Sequence, residues 1–428
     1  MIETMRNAWR IPELRKKILF TLFILLIYRF GASIPVPYID QQALQAMFSS
    51  TFSNTFFGFM DVMSGGAFSY ATIFALSIQP YINSSIIIEL LAIAIPALER
   101  MRKDEGEEGR KKLAAITRYA TVLIGLMMGF AYYTTIRSYG FVTDKSFWSA
   151  VVIVLSFTAG SAFIMWLGEQ ITEFGIGNGI SIILFSSIVS RLPAMVTSLS
   201  NGVSSGTIGW FTIILLLVGT LVVVAFVVFI TNAERRIPVQ YAKRVVGRKM
   251  YGGQSTHLPL KVNMSGVMPI IFAQSIATFP ATIAAFFPAP AEGSFWDKLL
   301  NGINNTSILY AIVLFVLIIA FSYFYTAIQF NPQEIANNMK KNGGFIPGFR
   351  PGKPTSDFIT KVLNKITLFG AVFLGVIAIL PIILNKAINI AGLAIGGTSL
   401  LIVVGVALET VRELEAQMMM RHYKGFLE

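Results

Sequence analysis

The chain of 428 residues contains no cysteine, only two histidines and few charged side chains. Without cysteine there are no disulfides, no thiol chemistry and no cysteine-based metal sites. His257 and His422 are too few and too far apart in the sequence to indicate a metal centre. The Gly-x-x-x-x-Gly-Lys-Ser/Thr loop that cradles nucleotide phosphates is also missing. The sequence therefore predicts no catalytic residues, no metal and no cofactor.

The low charge accompanies long apolar runs. Hydrophobic residues make up 54% of the chain and charged residues 13%, and the mean hydropathy is +0.67. A bilayer core of roughly 30 Å is crossed by about 20 helical residues. Ten runs have this length, which predicts an all-α polytopic membrane protein with ten spans. They lie at about 18–35, 71–96, 114–136, 150–168, 179–198, 209–231, 266–287, 307–329, 362–384 and 393–411.

The basic residues predict the orientation of these spans. Most of the 34 Lys and Arg fall in segments that alternate spans place on one side, together with both ends of the chain. By the positive-inside rule, that side is cytoplasmic, and so are both termini. The exceptions are Arg29, Arg137, Lys145, Arg191, Lys298 and Lys386.

Ten spans divide into two halves of five, residues 1–200 and 201–428. An odd number of spans per half predicts that the halves are inverted, and inverted halves commonly form a site or pore at their interface. In this scheme span 2 corresponds to span 7, and both carry prolines and polar side chains near mid-depth. Such groups need partners or water inside a bilayer. The polar residues are Gln79, Asn83, Ser84 and Ser85 in span 2, and Gln274 and Ser275 in span 7.

Three segments between spans are unusual. The external segment about 36–70 contains an apolar, glycine-rich stretch that is too short to span, so it is either a short re-entrant helix or a loop packed on the helix ends. In residues 232–265, the alternation of Ile237, Val239 and Tyr241 predicts a strand in a hairpin that projects from the membrane. In residues 330–361, many turn residues surround Arg350 and predict a rigid presented loop.

Several motifs distributed from span 1 to span 10 resemble those of the SecY family, the central subunits of bacterial protein-conducting channels. The resemblance covers essentially the whole chain. The matching stretches include Ile34-Pro35-Val36-Pro37, Ser64-Gly65-Gly66-Ala67, Gln79-Pro80-Tyr81-Ile82, Gly175-Ile176-Gly177-Asn178-Gly179-Ile180-Ser181, Tyr241-Ala242-Lys243-Arg244, Leu258-Pro259-Leu260-Lys261-Val262-Asn263 and Gly396-Gly397-Thr398-Ser399.

The resemblance implies a ten-helix pore between the inverted halves, closed by a short plug helix. Such a channel passes unfolded secretory polypeptides across the bacterial plasma membrane and releases transmembrane helices sideways into lipid. It implies as partners the small membrane subunits SecE and SecG, the ATPase SecA, the ribosome, signal sequences, polypeptide substrates and membrane lipids. The chain itself would not be an enzyme.

The resemblance also implies roles for individual residues. A ring of branched aliphatic side chains can stop hydrated ions because a narrow apolar neck disfavours water. The implied ring consists of Ile78, Ile82, Ile180, Leu184, Ile271 and Ile402, and the implied lateral gate of Asn83, Ser84, Gln274 and Ser275. The implied plug, about residues 56–68, includes Phe59, Met60, Asp61, Val62 and Met63. The residues implied to contact the motor, which is the SecA ATPase, and the ribosome are Lys243, Arg244, Arg248 and Arg350.

Each role has a simpler alternative. An isoleucine in a membrane helix usually packs against lipid or protein, mid-span polar groups usually stabilise helix packing, and loop cations usually enforce topology. Inverted halves and broken helices would also suit a secondary transporter, but coupled transport usually needs ionisable groups inside the membrane. Glu89 is the main such group here. An intramembrane enzyme would need a nucleophile and a base, and the spans offer no such pair.

Overall fold

The computed structural model describes residues 2–48, 56–103, 106–206, 209–241, 244–246, 249–251, 255–264, 266–284, 307–388 and 397–424. Within these ranges the fold is mainly helical, with a small antiparallel sheet and a separate two-stranded ribbon. The helices are α1 (Ile2–Arg10), α2 (Pro12–Gly31), α3 (Gln41–Met47), α4 (Phe56–Met63), α5 (Gln79–Ala94), α6 (Pro96–Lys103), α7 (Gly106–Ser138), α8 (Phe147–Phe174), α9 (Gly179–Val189), α10 (Leu192–Ser204), α11 (Trp210–Asn232), α12 (Met268–Ala284), α13 (Ile308–Gln329), α14 (Pro332–Lys341), α15 (Lys353–Ile388) and α16 (Gly397–Lys424). The strands are β1 (Glu234–Tyr241), β2 (Arg244–Val246), β3 (Lys249–Tyr251), β4 (Ser255–Lys261) and β5 (Gly344–Phe345).

A helix overlaps each of the ten predicted spans, and the predicted all-α polytopic membrane fold is confirmed. Among the described residues, six stretches are long and apolar enough to cross a membrane, and the bent pair α5 and α6 would make a seventh. α12 is apolar but shorter, and α2 and α16 carry several charges near one end. The count of ten spans stays a prediction. The six stretches are Gly106–Ser138, Phe147–Phe174, Gly179–Ser204, Trp210–Asn232, Ile308–Lys341 and Lys353–Leu380.

Span 2 is shorter than predicted. Residues 71–78 form turns, and α5 begins only at Gln79. Pro80 occupies the first turn of α5, where a missing N–H is not needed and the fixed φ suits a helix start. At the other end Pro96 disfavours helical geometry at Ile95, which is extended (φ −105°, ψ 115°). The chain therefore bends by 105° between α5 and α6.

α8 and α9 cross in very close contact. A Cβ built on Gly179 would lie 1.9 Å from the carbonyl oxygen of Gly168, so only glycine fits this position. The side chain of Asn178 accepts hydrogen bonds from the backbone N–H groups of Ile180 and Ser181 and caps the helix start. The predicted start of span 5 at residue 179 therefore agrees with the structure.

The predicted strand in residues 232–265 is present. β1 pairs antiparallel with β4, with Glu234 opposite Lys261 and Gln240 opposite Ser255. Ile237 and Val239 are buried and alternate with exposed neighbours, as the sequence pattern predicts.

The described parts of the two long loops, residues 232–265 and 330–361, form one folded unit, here called the sheet unit. β5 adds to the other edge of β1, so the strand order is β4-β1-β5, with Tyr241 opposite Gly344. A small core seals the unit with residues from both loops and from the start of α15. Its buried members are Ile237, Val239, Leu260, Met339, Ile346 and Ile359.

The contact at Gly179 generates a stability prediction. In Gly179→Ala the new methyl group would meet backbone that cannot rotate away, so α8 and α9 must separate. Overpacking of this kind typically costs about 1–3 kcal/mol. We expect a lower midpoint of thermal unfolding in detergent. Gly219→Ala in α11 is the matched control, because nothing lies within 4 Å of its added Cβ. Equal unfolding midpoints for the two variants would contradict the prediction.

Candidate pore, plug and gate

The six residues implied as a ring belong to one apolar cluster. Five of them are buried, and the sixth, Ile180, is partly buried and packs against the same cluster. They come from four places in the chain: the start of α5, the first turns of α9, the start of α12 and the start of α16. The structure thus places all six residues in one apolar cluster, which also contains residues of other helices.

Helix geometry explains how each segment contributes. Ile78 is the N-cap residue of α5, and its carbonyl oxygen accepts a hydrogen bond from the N–H of Ile82. Ile180 and Leu184 are four residues apart in α9, and side chains with this spacing share a helix face. Ile78 is 0% exposed and Leu184 1% exposed. Ile402, in the second turn of α16, is 1% exposed and completes the set from the far end of the chain.

A short helix, α4, lies within the predicted plug segment 56–68, which favours the short-helix alternative over a plain loop. Its residues Val62 and Met63 belong to the same cluster as the six aliphatic residues. Met60 faces a second cluster with Phe68 and Tyr132. The side chain of Phe59 lies outside the described part of the structure. α4 therefore sits between two apolar cores and contacts α9.

Asp61 is a charged exception in α4. Its carboxylate is buried, forms an ion pair with Arg191, and accepts a hydrogen bond from the backbone N–H of Ser69 at 2.8 Å. A buried charge needs such partners, since desolvation without compensation is strongly unfavourable.

α5 and α12 meet through a polar contact at mid-span. Gln79 Nε2 donates a hydrogen bond to Ser275 Oγ at 3.3 Å, and both residues are buried. Gln274 is buried beside them. Sequence reasoning noted Gln79 as polar but did not place it in the gate set.

The other two implied gate residues bond elsewhere. Ser84 Oγ donates to the carbonyl oxygen of Pro80 in its own helix at 2.8 Å. Asn83 Nδ2 lies 3.8 Å from Met128 Sδ of α7. The described structure thus places Asn83 toward α7 and Ser84 along α5. The described hydrogen bond from α5 to Ser275 comes from Gln79, one turn before Asn83, and the gate of Asn83, Ser84, Gln274 and Ser275 stays a prediction.

Glu89, the main ionisable residue in the predicted spans, has a partner on α13. The hydroxyl of Tyr325 donates a hydrogen bond to Glu89 Oε2 at 2.7 Å. The ring of Tyr325 also meets Phe272 of α12 edge to face, with centroids 5.0 Å apart. α5 is therefore joined to α12 near its start and to α13 nearer its end.

Two of the residues implied to contact the motor and the ribosome, Arg244 and Arg350, lie beside the sheet formed by β4, β1 and β5. Arg350 is exposed, and its carbonyl oxygen accepts a hydrogen bond from Thr355 Oγ1 at 2.8 Å. The rings of Phe349 and Phe358 pack against each other at a tilt of 30°, with centroids 4.1 Å apart. Arg244 begins β2, opposite Tyr251 of β3. Lys243 and Arg248 lie outside the described residues.

The base of the sheet unit carries a cationic pair. Burial, and then the neighbouring Arg412, lower the pKa of the Lys261 ammonium group, while Glu234 opposite acts in the other direction. Arg412 itself donates to the carbonyl oxygen of Thr231 at 2.8 Å and so ties α16 to the end of α11.

Within the described ranges, no three His, Cys, Asp or Glu side chains are placed to hold a metal ion. His257 lies in β4 opposite Pro238 of β1, far along the chain from His422 in α16.

Together the apolar spans and their packing define a polytopic membrane protein. The sequence model of the SecY family matches residues 72–411, well over half of the chain. Two curated relatives, each named protein translocase subunit SecY, align over 100% of both chains. The one from Streptomyces scabiei is 44% identical and the one from Bacillus subtilis (strain 168) is 45% identical. The chain belongs to the SecY family.

The fold is also found in solved structures. One of them, described as showing that the plug domain of the SecY protein stabilises the closed state of the translocation channel and maintains a membrane seal, has a TM-score of 0.65. It is 18% identical in sequence, and the match covers 94% of this chain and 92% of that one. This likeness establishes the fold.

Proposed function

We propose that this chain is a channel subunit that passes unfolded secretory polypeptides across the plasma membrane and releases apolar helices sideways into lipid. The observation that carries the proposal is the apolar cluster that contains all six implied ring residues, from the starts of α5, α9, α12 and α16. The full-length likeness to protein translocase subunits supports it. In this role the chain is a conduit and not an enzyme.

The aliphatic cluster supplies the seal of the resting channel. Branched side chains from four helices close a neck too narrow and too apolar for water, so hydrated ions are held back. Because the neck is made of side-chain contacts between separate helices, it can widen around a polypeptide without breaking a helix. α4 fills the space on one side of the neck as a plug.

The seal can be tested by removing one side chain. Ile82→Gly or Ile271→Gly should raise ion leakage through resting channels in planar bilayers, because each opens the apolar neck. Ile87→Gly is the matched control. It lies on the same helix as Ile82 and loses the same side chain, but Ile87 is exposed on the outer face. If leakage is unchanged in both neck variants, or rises equally in the control, the neck is not where we place it.

The meeting of α5 with α12 and α13 supports a lateral gate. Hydrogen bonds between helices inside membranes average only about 0.6 kcal/mol. The contacts from Gln79 to Ser275 and from Tyr325 to Glu89 can therefore hold the two halves, residues 1–200 and 201–428, together and still part when an apolar helix competes. Gln274 lies beside the same seam.

A reversible crosslink tests the gate. The chain has no cysteine of its own, so Gln79→Cys combined with Ser275→Cys gives a single possible disulfide. Oxidation should abolish the insertion of apolar helices into lipid, and reduction should restore it. Each single cysteine variant, oxidised in the same way, is the control. If the oxidised double variant inserts apolar helices as well as the single variants do, the lateral gate does not lie between α5 and α12.

The sheet unit supports a docking face for partners. The proposed partners are the SecA ATPase and the ribosome on the cytoplasmic side, and SecE and SecG in the membrane, with signal sequences, unfolded polypeptides and lipids as the molecules that pass or surround the gate. Both termini would then be cytoplasmic. Arg350 offers an exposed guanidinium group, whose planar fork suits phosphate and carboxylate alike.

Charge reversal tests the docking face. Arg350→Glu, alone and with Arg244→Glu, should slow export driven by the motor or by the ribosome, while the protein remains folded and the resting seal intact. Lys340→Glu is the matched control, because it makes the same charge change at an exposed position of α14 in the same loop. Normal export with both arginines reversed would exclude docking through them.

A secondary transporter is the alternative that the sequence leaves open. Glu89, the group best suited to coupling, has a hydrogen-bond partner on α13 that gives it a structural role. The folded sheet unit with its exposed arginine also has no use in a metabolite carrier. Both observations favour the channel.

A further inference from the structure

Two of the basic residues that break the predicted charge asymmetry lie beside the end of α4. Arg191 Nη1 forms an ion pair with Asp61 Oδ2. Arg29 Nη1 donates to the carbonyl oxygen of Gly65 at 3.2 Å and to Ser190 Oγ at 3.3 Å. The positive-inside rule gives no reason for cations on this side of the membrane. Their contacts with α4 and with the turn that follows it supply such a reason.

The ion pair is asymmetric in burial. The side chain of Asp61 is 6% exposed and that of Arg191 is 35% exposed. The carboxylate of Asp61 is therefore inside the protein, while the guanidinium group of Arg191 reaches it from a partly exposed position. Among the described residues, loss of the arginine would leave the buried carboxylate with the backbone N–H of Ser69 as its remaining partner. Removing one partner of a buried ion pair is strongly destabilising, because the remaining charge is left buried without compensation.

The turn after α4 is shaped to fit the end of α9. Gly65 has φ +68°, and a Cβ there would lie 2.7 Å from Ser190 Oγ and 3.0 Å from the carbonyl oxygen of Ser187. The hydroxyl of Tyr28 in α2 lies 2.6 Å from Ser187 Oγ and 3.4 Å from the carbonyl oxygen of Ser64. Three elements, α2, α4 and the end of α9, thus meet at one polar junction.

We propose that the Asp61–Arg191 ion pair, assisted by Arg29, is a latch that holds α4 in the resting channel and is released by movement of α9. The proposal rests on the proposed role of α4 as the plug. Ile180 and Leu184 line the neck from the first turns of α9. Arg191 follows the last turn of α9, about 16 Å from Ile180 and about 10 Å from Leu184 along the helix axis. A shift of α9 that widens the neck therefore moves the arginine away from the carboxylate, so the neck and the plug open together.

A double-mutant cycle tests the latch. Asp61→Asn keeps an acceptor for the N–H of Ser69 but removes the charge, and Arg191→Gln removes the opposite charge. Each single variant should raise the resting ion leak in planar bilayers by about tenfold, which corresponds to about 1.4 kcal/mol. If the two residues act through each other, the double variant should leak no more than the leakier single variant.

The controls separate the latch from the plug itself. Lys145→Gln removes another basic residue of the same predicted side that is exposed, and its leak should equal that of the parent. A variant that lacks α4 should leak strongly, and normal export by the point variants shows that they fold. Leakage by the α4 deletion together with tight Asp61→Asn and Arg191→Gln channels would overturn the latch and leave the plug in place. Additive leaks in the double variant would also overturn the latch. No leak from the α4 deletion would overturn the plug, and the latch with it.

Discussion

Contact between branched aliphatic side chains from distant parts of the chain is the interaction on which the remaining structure depends. Inside a bilayer, lipid tails are as apolar as isoleucine, so burial from water does not by itself draw helices together. α11 illustrates this point, because most of its apolar surface faces outward. In contrast, five of the six implied ring residues of α5, α9, α12 and α16 are buried in one apolar cluster, and Ile180 is partly buried against it. Close packing there, and not general hydrophobicity, distinguishes the centre of the molecule from its lipid-facing rim.

Three of the described polar contacts join two elements each. Gln79 joins α5 to α12, Tyr325 joins α13 to α5, and Arg191 joins the end of α9 to α4. Single hydrogen bonds between membrane helices are weak, whereas an ion pair that shields a buried carboxylate is costly to break from one side only. The proposed gate between α5 and α12 is therefore held by a weak contact that can open often. The ion pair holds α4 more firmly in its closed position.

The sequence predicted those features that depend on local pattern. Hydropathy located a helix in each predicted span, Asn178 followed by Gly179 marked the start of α9, and alternation at Ile237 and Val239 marked β1. It was wrong for the first part of span 2, because hydropathy measures burial and not backbone shape. Phe74 and Leu76 are apolar and buried, but they lie in turns enclosed by protein. The family resemblance, and not the composition, selected the six aliphatic residues that the structure brings together.

Long-range pairings escaped sequence analysis for a physical reason. β5 has two residues and no periodicity, so nothing in residues 330–361 indicated that they complete the sheet begun by β1. The resemblance likewise implied a gate of Asn83, Ser84, Gln274 and Ser275 without Gln79, although Pro80 starts the helix late and Gln79 donates to Ser275. Arg29 and Arg191 departed from the positive-inside pattern of the sequence, and their contacts with Gly65 and Asp61 give them a structural role. A charge that violates the positive-inside pattern is therefore worth tracing to a buried partner, since the bilayer gives it no reason to be there.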